Sequence, residues 1–237
     1  LMTRWGEQIN PDSVLMEYPR PQLVRPYWKN LNGLWQFELA TSLDTPPFNQ
    51  TLEDTILVPF PIESALSGVM QATDFAWYRK IFSLPQSWNG KHVLLHFGAV
   101  DWKCKIYLNQ QLVFEHQGGY DPFVMDISDN IHFDQPNELI VGVYDPTEKG
   151  GQPVGKQMET PQSIFFTAVT GIWQTVWLEA VPDTYIKSIK LVPNIDQQQL
   201  TVRVTLNDEA SVSQTQVQAV AFADSIPVDK KYGYGNA

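Results

Sequence analysis

The chain has 237 residues, 43% hydrophobic and 12% aromatic, enough for one large β domain, or one plus part of a second. Its 26 acidic residues outweigh 16 basic ones for a net charge of −10, which argues against a nucleic-acid binder and against an anionic membrane surface as partner. The single cysteine, Cys104, excludes an internal disulfide or a cysteine-based metal cluster.

No apolar run approaches the ~20 residues that span a bilayer. The first residues, Leu1 to Glu7, lack the apolar stretch of a signal peptide. The expectation for an exported (periplasmic or extracellular) protein is therefore that its signal has already been removed.

Residues 1–30 are expected to be irregular, because Pro11, Pro19, Pro21 and Pro26 preclude a long regular element, and to drape over the body that follows. Asn32-Gly33 is a turn signal, after which Leu34 to Leu39 alternates into a first strand. The polar, proline-rich stretch from Thr41 to Thr55 reads as a loop, and Ile56-Leu57-Val58 as a short strand ended by Pro59. Further strands are predicted over Trp77 to Leu84 and Val93 to Phe97.

The clearest signal follows. Lys105, Ile106, Tyr107 and Leu108 alternate out and in, Asn109-Gln110-Gln111 forms a polar turn, and Leu112, Val113 and Phe114 return. This is a β-hairpin pattern. Gly118-Gly119 then offers backbone angles closed to other residues, and Pro122 cannot donate to a ladder, so a shaped loop carries Tyr120 and Asp121. Glu138 to Tyr144 alternates again, and Trp173 to Glu179 is a last strand before a break near Val181-Pro182-Asp183. Beyond it, Ile186 to Leu191, Leu200 to Leu206 and Val217 to Phe222 give three strands suited to an immunoglobulin-like sandwich, which needs about seven. The tail from Asp224 continues no pattern. Many short strands without a persuasive helix predict an all-β protein: a jelly-roll sandwich over residues 1–182, then a partial immunoglobulin-like sandwich over 183–237.

Among residues with chemical potential, His92, His96, His116 and His132 lack metal-ligand spacing. His96 reads as structural, and His116 as fixing the Gly118-Gly119 loop. Asp121 and Asp126 are a weak cation-site candidate. Most tryptophans fall on strand-periodic positions, the ordinary use of which is packing; Trp88 and Trp102, near turns, are the candidates for stacking on a sugar. Cys104 reads as a buried thiol.

Several segments, in order, carry a resemblance: Leu31 to Phe37, Val58 to Ser64, Trp77 to Lys80, Gly98 to Asp101, Tyr107 to Asn109, His116 to Phe123, Asp145 to Thr147, Gly155 to Gln157 and Thr170 to Glu179. Together they are similar to the N-terminal sugar-binding domain of family 2 glycoside hydrolases, which include β-galactosidases, β-glucuronidases and β-mannosidases. The resemblance implies a jelly roll, then an immunoglobulin-like domain, then a (β/α)₈ barrel carrying two catalytic glutamates. Such retaining chemistry holds its carboxyl pair ~5–5.5 Å apart.

The chain is therefore expected to be the non-catalytic portion of a β-glycosidase, inactive alone. No catalytic residue, metal or cofactor is expected within it, and its partners are expected to be a β-linked carbohydrate and the barrel, with a homo-oligomer possible. Asn137-Glu138 imitates the family's acid/base pair, but it enters an alternating strand and is assigned no catalysis. The resemblance also implies a substrate-facing loop in which many relatives place an aspartate about six residues before the glycine matching Gly171. Here Phe165 stands there, able to stack on a sugar but not to accept its hydrogen bonds. Lys156, Gln157 and Phe165 are the candidate substrate-binding residues. The alternatives are an independent carbohydrate-binding module and a structural domain at a subunit interface.

Overall fold

The computed structural model describes residues 2–20, 22–208 and 215–234, the last without its side chain. Two compact units emerge: Leu1–Pro19 with Pro26–Ala180, and Arg20–Arg25 with Val181–Ala237. Strands of the first unit, in chain order, are β1 (Trp28–Asn30), β2 (Gly33–Ala40), β3 (Asp54–Val58), β4 (Phe75–Phe82), β5 (His92–Phe97), β6 (Val100–Asp101) and β7 (Lys103–Leu108). They continue as β8 (Gln111–Gln117), β9 (Phe123–Asp126), β10 (Asn137–Tyr144), β11 (Gln157–Met158), β12 (Phe166–Thr167), β13 (Gly171–Ile172) and β14 (Val176–Val181). The only helical turns among the described residues are short 3-10 segments.

The jelly roll consists of a six-stranded sheet, β3-β2-β4-β10-β7-β8, facing a four-stranded sheet, β1-β14-β5-β9. Alternation drives the packing: in β2, Trp35 and Phe37 point inward while Leu34 and Glu38 stay in solvent. Trp35, Phe37, Tyr78, Phe97, Ile106 and Leu139 build the core between the sheets. The hairpin of β7 and β8 forms as expected, with Asn109 and Gln110 both at positive φ (49° and 71°), the two-residue turn whose twist matches paired strands. Cys104 is buried in it, and burial pushes its thiol up to about 12.

Three expectations need correction. β10 is buried at every position but Tyr144 rather than alternating, because the segment after β2 folds over its outer face and packs Leu43, Phe48 and Leu52 against Trp77 and Ile140. The stretch Trp173 to Glu179 is not one strand. β13 pairs with β6, the chain crosses between sheets over Trp173–Thr175, and β14 then begins. Trp88, 3% exposed, is tucked into the main core by the 3-10 turn Gln86–Trp88, so it cannot stack on a sugar.

The arm before β1 is fastened to the first unit up to Pro19, whereas Arg20–Arg25 group with the second unit and Trp28–Asn30, expected to be irregular, form β1. Asn30 Nδ2 donates to the carbonyls of Val14 and Leu15, and the Tyr18 hydroxyl donates to Glu179, which also pairs with His96 at 3.0 Å. His96 stacks on Trp177 at 4.6 Å, a structural placement. Within the second unit, β15 (Ile186–Asn194) pairs with β16 (Gln199–Leu206), and β17 (Gln216–Ala223) with β18 (Ile226–Tyr234). Three of these strands are expected from sequence. The fourth occupies the tail in which no pattern is legible, and its last residues, 235–237, lie outside the described ones.

Candidate functional site

After β10 the chain leaves the six-stranded sheet at Asp145 and does not rejoin the body's strands until β13. The base of this long loop is fastened by carboxylates the surrounding protein has desolvated. Asp145 is 2% exposed; its Oδ1 accepts from the Thr147 backbone N–H at 2.8 Å and its Oδ2 from the Thr170 hydroxyl at 3.0 Å. Thr170's own N–H donates to Glu63 at 2.9 Å, and Gln152 Nε2 donates to the Thr147 carbonyl at 2.6 Å. Burial raises both Asp145 and Glu63 above the usual carboxylate range, against the lowering pull of these hydrogen bonds.

A second set of bonds ties the middle of the loop to the hairpin region. Gln157 Nε2 donates to Asp101 Oδ2 at 3.1 Å and to the Tyr120 hydroxyl at 3.3 Å, while its Oε1 accepts from the Val169 N–H at 2.7 Å. Asp101 is 4% exposed, and burial pushes its carboxyl up to about 6, with Asp145 and Glu63 adding repulsion. Gly119 packs against this carboxylate so closely that a Cβ would lie within 3.0 Å of it. Its neighbour Gly118 instead uses a positive φ of 138°. The pair thus serves space at one residue and conformation at the other. Trp173 Nε1 donates to the Gly119 carbonyl at 2.8 Å, and the His116 ring nitrogen meets the Gly118 carbonyl at 3.1 Å, fixing the turn as expected.

Of the three candidate substrate residues, Gln157 lies at the anchored middle with its amide engaged on both sides. Lys156 is exposed beside it, its Nζ 5.9 Å from the Phe166 ring. Phe165 stands 42% exposed, between Ile164 at 62% and Phe166 at 61%. The structure therefore brings Lys156 and the aromatic tip to one exposed stretch and gives Gln157 a linking position. Trp102 is half-buried under Lys103.

Other chemically suggestive groups have structural partners. Glu138 pairs with Arg79 at 2.6 Å and accepts from the Asn49 N–H. Asn137, fully buried, bonds Asn109 and both backbone groups of His132. Asp126 pairs with His92 at 2.6 Å and accepts from Ser128. Among the described residues no three His, Cys, Asp or Glu side chains gather as a metal site, and no helix is long and apolar enough to cross a membrane.

The network of Asp101, Asp145, Glu63, Gln152 and Thr170 was not legible as a site in the sequence. Asp145 and Thr170 lie in the segments that carry the resemblance, but nothing in their spacing marks them as partners.

Comparison with known proteins aligns this architecture with one family. Residues 47–182 match the family described as "Glycosyl hydrolases family 2, sugar binding domain". A β-galactosidase of Thermoanaerobacter pseudethanolicus is 36% identical over 118 residues, 49% of this chain and 15% of that protein. A β-glucuronidase of Felis catus is 28% identical over 214 residues, 77% of this chain and 33% of that protein. In fold, the β-glucuronidase of Ruminococcus gnavus solved with D-glucuronic acid superposes with a TM-score of 0.70 at 19% identity, over 91% of this chain and 41% of that one. The Faecalibacterium prausnitzii β-glucuronidase gives 0.69 at 22%, over 92% and 41%. The chain thus spans one third or less of these curated relatives.

Proposed function

Because the chain belongs to family 2 of the glycosyl hydrolases, we propose that it is the non-catalytic N-terminal portion of a retaining β-glycosidase whose catalytic barrel lies outside it. Residues 1–182 form the sugar-binding jelly roll, and residues 183–237 begin an immunoglobulin-like domain. In support of the latter, the β15–β18 hairpins leave Leu200, Val202, Phe222 and Val228 exposed among the described residues, an apolar load that further strands would cover.

The observation that carries the reading is the contrast within one loop. Its base is locked to the jelly roll by buried carboxylates, and its tip, Ile164-Phe165-Phe166 with Lys156 alongside, is left in solvent. A loop rigid at the root and apolar at the tip suits a lid that shapes a pocket on a neighbouring domain. Phe165 then presents a ring face to the sugar's C–H surface, and Lys156 donates hydrogen bonds to hydroxyls. Gln157 positions both by holding the loop's middle.

The buried carboxylates that anchor the loop serve no hydrolysis. Asp101 and Asp145 are sealed from solvent, and each accepts hydrogen bonds from the groups it holds, so they offer no acid and nucleophile pair flanking a glycosidic bond. The test is hydrolysis of p-nitrophenyl β-glycosides. The longer protein is expected to release nitrophenol and this chain alone to release none; turnover by this chain would overturn the division of labour.

A further inference from the structure

On the outer face of the six-stranded sheet lies an open cavity of about 540 Å³. The strand register explains its walls. Paired residues on adjacent strands point to the same face, so Phe75, Tyr144, Lys103 and Gln117 form one row across β4, β10, β7 and β8. Two residues along, Trp77, Gly142, Lys105 and Glu115 form the next. Gly142 leaves this second row without a side chain at its centre, and the Trp77 ring folds over it, so close that a Cβ there would fall within 3.0 Å of the ring. The segment after β2 supplies the facing wall with Ser42 and Asp44.

Phe75 and Tyr144 stack at 4.7 Å between centroids and 27° between planes, nearly the spacing of the strands that carry them. Phe75 therefore backs one face of Tyr144, Lys103 follows on the next strand along the row, and all three line the cavity. Around this ring stand two cationic donors, Lys103 and Lys105, and two anionic acceptors, Glu115 and Asp44, with the Gln117 amide, which does both, between. Lys105 and Glu115 are 3.8 Å apart. The four charges sum to zero in a chain whose net charge of −10 disfavours anions.

We infer that this groove is a second carbohydrate site, which takes a neutral β-linked oligosaccharide on the Tyr144 ring with its hydroxyls bonded by the Lys103, Glu115 and Gln117 side chains. An aromatic ring takes the C–H face of a pyranose, and a wall of mixed donors and acceptors without net charge matches hydroxyls, each of which donates and accepts. The cavity suits a few sugar units. The cavity's lining shares no residue with the 145–170 loop, and the site does not depend on the role proposed for that loop.

The experiment is isothermal titration of the protein with three neutral probes, cellohexaose, β-1,4-mannohexaose and β-1,4-galactohexaose, and one anionic probe, hexagalacturonate. At least one neutral probe is expected to bind, with affinity falling about fivefold to tenfold in Tyr144→Ala, as for loss of one aromatic stack. The exposed double variant Lys103→Ala/Gln117→Ala is expected to lose several-fold; it decides the matter if Tyr144→Ala fails to fold. Phe165→Ala is expected to bind as the unaltered protein does. No heat with any neutral probe overturns the site. So do undiminished binding in the folded variants, loss confined to Phe165→Ala, or hexagalacturonate binding as tight as the neutral probes.

Discussion

The base and the tip of the loop between β10 and β13 are built from opposite materials. At the base, Asp145, Thr170 and Gln152 are buried and bonded to backbone or to one another. At the tip, three consecutive apolar residues, Ile164 to Phe166, face solvent. Polar groups inside and apolar groups outside invert the usual arrangement, and each inversion has a use. Buried hydrogen bonds to carboxylates are directional and fix one conformation of a long segment that lacks a core of its own. An exposed apolar tip is stable only because that base holds it, and it retains surface for a ligand or partner.

The largest effect is expected from Gly171→Ala, where the base meets the sheets. Gly171 has φ of +89°, and a Cβ there would overlap the buried Tyr78 hydroxyl well inside 3.0 Å. Overpacking plus a left-handed alanine should cost about 3–4 kcal/mol, a fall in melting temperature of roughly 10 °C for a body of this size. An unchanged melting curve would mean the base is not rigid. Asp145→Ala should cost less, about 2 kcal/mol, because it orphans the Thr147 N–H and the Thr170 hydroxyl while relieving a desolvated carboxylate.

A smaller, pH-dependent effect is expected at Asp101. Its carboxyl titrates at about 6 in the fold against an ordinary 3.8, so the folded state holds the proton more tightly than the unfolded chain. That contribution to stability is complete below the ordinary value and is lost as pH rises through the folded one. The melting temperature should therefore decline between about pH 4 and pH 7, in the direction that the raised Glu63 and Asp145 also favour. Asp101→Asn keeps an acceptor for Gln157 and should flatten that decline; an equally steep decline in the variant would assign the titration to other groups.

The pattern of legible and illegible features follows from the same contrast. The β7–β8 hairpin was readable because one face is buried and the other is not, so alternation maps onto Ile106 and Leu108 against Lys105 and Tyr107. β10 was misread for lack of that asymmetry, since the covering segment after β2 looks in sequence like any proline-rich loop. β18 was missed because its turn, Asp224-Ser225, reaches positive φ (47° and 67°) without the glycine that marks such turns, and Pro227 interrupts its alternation.

Lys156, Gln157 and Phe165 were named as candidates through resemblance. The anchoring network was not, because Glu63, Asp101, Asp145 and Thr170 come from four separate stretches that only the sandwich brings together. Trp88 shows the same limit: proximity to a turn says nothing about which way a ring faces.

The tip carries the smallest effect on stability and the most direct test. Phe165→Ala in the longer protein should leave the melting temperature unchanged, within about 0.5 kcal/mol of stability, since an exposed ring supports no packing. Its KM for a p-nitrophenyl β-glycoside should rise about fivefold to tenfold, the loss of one ring stacked on a sugar, with kcat nearly unchanged. An unaltered KM, or a loss of melting temperature without a change in KM, would contradict the assignment of this loop as a rigid base bearing a substrate-facing tip.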